Sequence, residues 1–179
     1  RNTMNVTGSE DNKLLYYNMK YEAFLSKRMD SVMEQMKKTD KKGMAYMALE
    51  AKMQQFREDR KEHVRDLADK YPNTFFVKFK LAGQNPDLRK ILKPDGTTDD
   101  EAEIYYYRQD FWNGYDFTDE RMLRTPVYFN KLKRYMLELT PQTPDSVIKY
   151  ADFVSMKSKA DKQIFKFTVN WIAVHYKDA

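Results

Sequence analysis

Residues 14–36 read Leu-Leu-Tyr-Tyr-Asn-Met-Lys-Tyr-Glu-Ala-Phe-Leu-Ser-Lys-Arg-Met-Asp-Ser-Val-Met-Glu-Gln-Met, and their apolar side chains recur at Leu14, Tyr17, Tyr21, Phe24 or Leu25, Met29, Val32 and Met36. A step of three or four residues is the period of one helix face, so the spacing predicts a long amphipathic helix. Asp40-Lys41-Lys42-Gly43 interrupts it. A second series follows at Tyr46, Leu49, Met53, Phe56, Arg60, His63 or Val64, Leu67 and Tyr71, stopped by Pro72. Two helices of about 26 to 29 residues, roughly 40 Å each at 1.5 Å per residue, joined by a short turn, are predicted to run antiparallel. The second keeps a seven-residue repeat, which suits coiled-coil packing, and Arg60 and His63 dilute its seam toward the end, predicting less burial there.

The rest of the chain is punctuated in the same way. Residues 1–12 are polar, contain Gly8-Ser9-Glu10-Asp11 and show no period, as a linker would. Asn73 is placed to cap a third, buried helix through Phe75, Phe76, Val77, Phe79 and Leu81, ended by Gly83. Asn85-Pro86-Asp87 then predicts a short helical turn through Leu92, before the loop Lys93-Pro94-Asp95-Gly96. Thr98-Asp99-Asp100-Glu101 is a capping pattern for a helix through Tyr105 and Phe111 toward Gly114, and Thr118-Asp119-Glu120-Arg121 starts a short turn. Thr125-Pro126 and Thr143-Pro144-Asp145 each cap and begin a helix, and a last one follows Asp161, with Ile164, Phe165, Phe167, Trp171 and Ile172 on a broad apolar face. The expected fold is all-α: a linker (1–12), a long antiparallel helical hairpin (13–71) and a compact multi-helix bundle (73–179) that can be continuous with the hairpin.

Composition agrees and narrows function. A chain of 179 residues, 41% hydrophobic and 33% charged with five glycines, favours long solvated helices over a sandwich rich in tight turns. Cysteine is absent, which removes disulfides and thiol chemistry from these residues. The net charge of +5 lies entirely in residues 1–90, with 19 Lys and Arg against 13 acids, but there the signs are interleaved as on a solvated helix face. Nucleic acid is therefore not the expected partner. No apolar run approaches the roughly 18 residues of a membrane helix, so no membrane insertion is expected of this segment, which reads as excised from a longer chain.

Chemistry-bearing residues are sparse. Asp99, Asp100, Glu101 and Glu103 lack the spacing of a calcium loop and suit the first turn of a helix. His63 and His175 stand far apart with no accompanying motif. Eleven methionines at helical spacing fill a core or form an adaptable surface. No catalytic residue, metal ligand or cofactor is assigned. The surplus lies in residues 105–117, where seven aromatics crowd together. Tyr105, Tyr106 and Tyr107 cannot all face one side of a helix, since successive residues turn by about 100°, so at least one is exposed. Tyr105, Tyr106, Tyr107, Trp112 and Tyr115, with Arg121 and Arg124, are the candidates for ligand or partner contact: a stacking platform for glycan or peptide, or a core whose hydroxyls are tied to Arg121, Arg124 or Asp119.

Trp112-Asn-Gly-Tyr-Asp-Phe-Thr-Asp-Glu-Arg-Met-Leu-Arg-Thr-Pro126, continuing to Leu139-Thr-Pro-Gln-Thr-Pro-Asp-Ser146, resembles a helical domain of unknown function. That domain is found ahead of a thioredoxin-like domain in cell-envelope proteins of Gram-negative gut bacteria. The likeness is closest over residues 105–177 and looser over the hairpin. It implies a periplasmic or envelope location, sometimes as a lipoprotein, and a thioredoxin-like domain in the same full-length chain as partner. The role it implies is that of a non-catalytic accessory module, which positions the redox domain or contacts a protein or peptide client. It carries over no catalytic residue, because the redox motif has no counterpart here. An independent glycan- or peptide-binding domain is the alternative.

Overall fold

The computed structural model describes residues 7–177, and among them the chain is all-α, with seven α-helices and no strand. It divides into two compact units, one ending at Lys80 and the other beginning at Leu81.

The first unit holds α1 (Glu10–Lys37), α2 (Met44–Lys70) and most of α3 (Phe75–Ala82). Helix α1 starts before its apolar period does, because Ser9 Oγ accepts the Asn12 amide at 3.3 Å and Glu10 and Asp11 put negative charge at the positive end of the helix dipole. Part of the expected linker is thus helix, while residues 1–6 lie outside the described residues. The early part of α1 meets the late part of α2, with Tyr17 against His63, and Met36 near the end of α1 shares a groove with Glu50 and Met53. That is an antiparallel hairpin. Leu25, Val32, Met53 and Phe56 form its core, with Tyr21, Met29, Met36 and Leu49 packed around them.

The seam does not weaken toward the end of α2. Val64 and Leu67 are buried, and the polar residues that interrupt the repeat make an ion pair and a ring stack, with Arg60 Nε and His63 Nε2 left buried without a hydrogen bond. Arg60 pairs with Glu22 at 3.0 Å, and the His63 ring stacks on Tyr21 at 3.7 Å, nearly parallel. Asn73 does not cap α3. The Phe76 amide instead donates to Asp11 Oδ1 at 2.8 Å, so an acid of α1 closes the helix from 65 residues away in sequence. Lys80 reaches Glu22 at 3.3 Å and ties the other end of the helix to α1.

The second unit opens on extended chain. The expected helical turn at Asn85-Pro86-Asp87 does not form; Leu92 pairs with Thr98 across the Pro94-Asp95-Gly96 turn, in which Gly96 takes a left-handed φ of +82°. The Ile91 amide donates to Glu103 and its carbonyl accepts from Asp99, which hold the segment straight against α4 (Asp100–Asp110). Gly114, at φ +75°, turns the chain out of α4, and a 3-10 turn (Glu120–Arg124) leads into α5 (Pro126–Arg134). Helix α5 widens into a π-turn (Tyr135–Leu139) that its regular period did not foretell. Side chains beyond the turn reach back to carbonyls of this helix end: Thr140 Oγ1 donates to Tyr135 at 2.8 Å and Gln142 Nε2 to Met136 at 2.8 Å. Helices α6 (Pro144–Ser158) and α7 (Lys162–His175) follow, capped by Thr143 and Asp161 as their sequences predict.

Two tests bear on the first unit. Asp11→Ala removes the acceptor for α3 and is expected to cost about 1 kcal/mol in denaturant unfolding, whereas Asp11→Asn, which keeps an oxygen, recovers most of it. Burial holds the His63 imidazole below its usual pKa; Glu22 and Asp66 oppose that shift and Lys80 adds to it. A lowered folded pKa means the neutral ring stabilises the fold above the unfolded value of about 6.5, with that contribution lost as pH falls through the folded value. The melting temperature is therefore expected to drop between about pH 7.5 and about pH 5, and to drop less in His63→Phe, which stacks without titrating.

Candidate functional site: an aromatic groove between two helices

The three consecutive tyrosines separate as the helix geometry requires. Tyr107 is buried, while Tyr105 and Tyr106 are 47% and 40% exposed and meet edge to face at 5.4 Å. Tyr106 lies under the Arg89 guanidinium, 5.1 Å from its centroid, and Arg89 is itself paired with Asp110. Tyr105 projects to the other side of α4, where it lines a groove.

The remaining aromatics of the stretch turn inward. Trp112 is only 4% exposed and touches Phe111, Tyr115, Phe117, Tyr128 and Tyr135 with ring centroids 5.2 to 6.0 Å apart. Tyr115 is buried beside it, and burial pushes its hydroxyl well above the ordinary tyrosine range. The Trp112 Nε1 and the Tyr115 hydroxyl are buried without a hydrogen-bond partner. The core reading accounts for both rings, but their polar atoms are not tied to Arg121, Arg124 or Asp119. Arg121 instead donates twice to the buried Asp119, at 2.8 and 2.6 Å, and Arg124 is exposed near Glu120 at 3.9 Å. Neither arginine lines the groove with Tyr105. Elsewhere in this core Tyr128 bonds to Thr168, and burial lifts its pKa to about 12.

The groove has a volume of about 740 Å³. Tyr105 and Gln109 come from α4, Tyr135 from the π-turn, and Lys149, Tyr150, Asp152, Phe153, Met156 and Lys157 from α6. Behind its Tyr150 stands Arg108 of α4, a residue that the sequence did not single out. Arg108 is buried; its Nε donates to the Leu139 carbonyl at 2.6 Å, its Nη1 to the Tyr150 hydroxyl at 2.7 Å, and its guanidinium sits 4.6 Å over the Tyr150 ring. That fixes Tyr150 against α4 and leaves its neighbours on α6 facing the opening. The signal that could have found this wall is Lys149, Asp152, Phe153, Met156 and Lys157, spaced by three and four along one helix.

Lys131 is the other buried cation. Its Nζ donates to the Gln84 carbonyl at 3.0 Å and lies 4.3 Å over Phe111, and desolvation, aided by Arg134, lowers its pKa to about 8. It tethers the extended segment to α5. Among the described residues no three histidines or acids gather as metal ligands, and Asp99 and Glu103 serve as a cap and a tether. Nor is any helix there long and apolar enough to cross a membrane. The chain matches no family model, no curated protein and no solved structure.

Packing separates the candidates sharply. Trp112→Ala is expected to destabilise the fold by about 3 to 5 kcal/mol, and Tyr105→Ala to stay within about 0.5 kcal/mol, both read by denaturant unfolding.

Proposed function

We propose that this chain is a non-catalytic helical accessory module of an exported thioredoxin-like protein, which positions the redox domain or contacts its client in the periplasm or at the cell envelope. The observation that supports a contact role is the groove between α4 and α6, where Tyr105 and Met156 stand exposed beside Phe153 and the alkyl stems of two lysines. Exposed aromatic and methionine side chains are characteristic of protein-binding surfaces. The setting comes from the resemblance, closest over residues 105–177, to domains that precede a thioredoxin-like fold.

One observation favours the alternative, an independent glycan- or peptide-binding domain. A groove of about 740 Å³ falls within the range of small-ligand sites and offers ring faces for stacking. The two readings part on one variant pair. In the full-length protein, Tyr105→Ala with Met156→Ala is expected to raise KM for a disulfide-bonded protein client by about fivefold to tenfold, with turnover of a small disulfide unchanged. Unchanged client kinetics, with glycan or peptide binding on arrays abolished by the same pair, would establish the alternative. A natural sequence that continues past Ala179 without a Cys-x-x-Cys domain would remove the thioredoxin setting.

A further inference from the structure

One face of the hairpin carries a second groove, of about 580 Å³, in which Met33 and Met36 of α1 meet Met53 of α2, with Glu50, Gln54 and Arg57 at its margin. Core packing explains Met53, which is 9% exposed and belongs to the hairpin core, and it explains Met36, which packs against that core. It does not explain Met33. That side chain is 46% exposed and lies on the groove beside the other two.

Methionines from two helices line this one groove, and their thioethers are a particular kind of donor. Thioether sulfur is neutral, polarisable and soft, a poor ligand for hard divalent cations and a good one for Cu(I). Met33 and Met36 are three residues apart on one helix face, neighbours at about 5 to 6 Å between Cβ atoms, and each side chain has three rotatable bonds with which to adjust its sulfur. The formal charges at the margin balance, the Glu50 carboxylate against the Arg57 guanidinium, which donates to Gln54 Oε1 at 3.2 Å. We propose that this groove is a binding site for a soft monovalent metal ion, of the Cu(I) class, held by the thioethers of Met33, Met36 and Met53. Binding is reversible coordination with no redox step and is independent of the α4–α6 groove.

The eleven methionines of the chain supply their own control. Adventitious binding of a soft ion follows exposure and would reach Met44 at 87%, Met47 at 63% and Met156 at 62% before the trio. The chain, labelled with carbon-13 at the methionine methyls, is titrated with Ag(I), a redox-stable surrogate, and each methyl is followed by NMR. The methyls of Met33, Met36 and Met53 are expected to shift together and saturate at about one equivalent, leaving Met44, Met47 and Met156 in place. Met33→Leu with Met36→Leu keeps volume and helix preference, and is expected to weaken Ag(I) binding at least about tenfold with the helical circular dichroism preserved. Shifts that follow exposure, or an affinity unchanged in the double variant, would overturn the site.

Discussion

The second unit depends on how one of its buried cations, Arg108, is satisfied. Arg108 enters the interior from α4, and its hydrogen bonds go to a backbone carbonyl at the end of the π-turn and to a phenol on α6. A guanidinium taken out of water is costly unless its N–H groups are satisfied. Here that satisfaction requires three segments to meet at one point. Tyr150 is held by its hydroxyl below and faces the guanidinium with its ring, so it cannot swing into the groove. The groove is therefore a by-product of how one charge is kept solvated inside the protein.

The first unit rests on a different solution to a related problem. A two-helix hairpin can bury only the seam between its helices, so side chains beyond that seam remain at the surface. Phe24, Met33, Met44 and Met47 are in that position, and Arg28 lies over both Phe24 and Phe56, at 5.4 and 5.0 Å, as a partial cover. The Glu22 carboxylate of α1 then pairs with Arg60 of α2 and with Lys80 of α3, so one acid joins all three helices. Both pairs are partly exposed, so their value is in specifying how the helices dock more than in raw stability.

What sequence alone revealed, and what it hid, follows from the range of the interactions. Helix starts at Thr125, Thr143 and Asp161 were legible because a cap is a contact over two or three residues. Asp11 capping α3 was invisible, since nothing local at either end announces a bond between residues so far apart. The extended run before Leu92 was misread as helix because Asn85-Pro86-Asp87 satisfies the local rule, while Glu103 and Asp99 supply a competing set of backbone partners. In the aromatic stretch, counting faces showed that some tyrosine must be exposed. It could not show that Trp112 and Tyr115 would be interior, or that the wall opposite Tyr105 would come from α6.

The π-turn at the end of α5 has one more meaning. It accommodates one residue more than an α-helical turn would hold, and every position after it is rotated by about 100° relative to a continuous α-helix. The Tyr135 carbonyl at its start accepts from the Thr140 hydroxyl, and the Leu139 carbonyl at its end accepts from Arg108. The fit of Arg108 is thus encoded in chain length as well as in side chains: losing one residue between Tyr135 and Leu139 would shift the phase of the carbonyl that Arg108 uses.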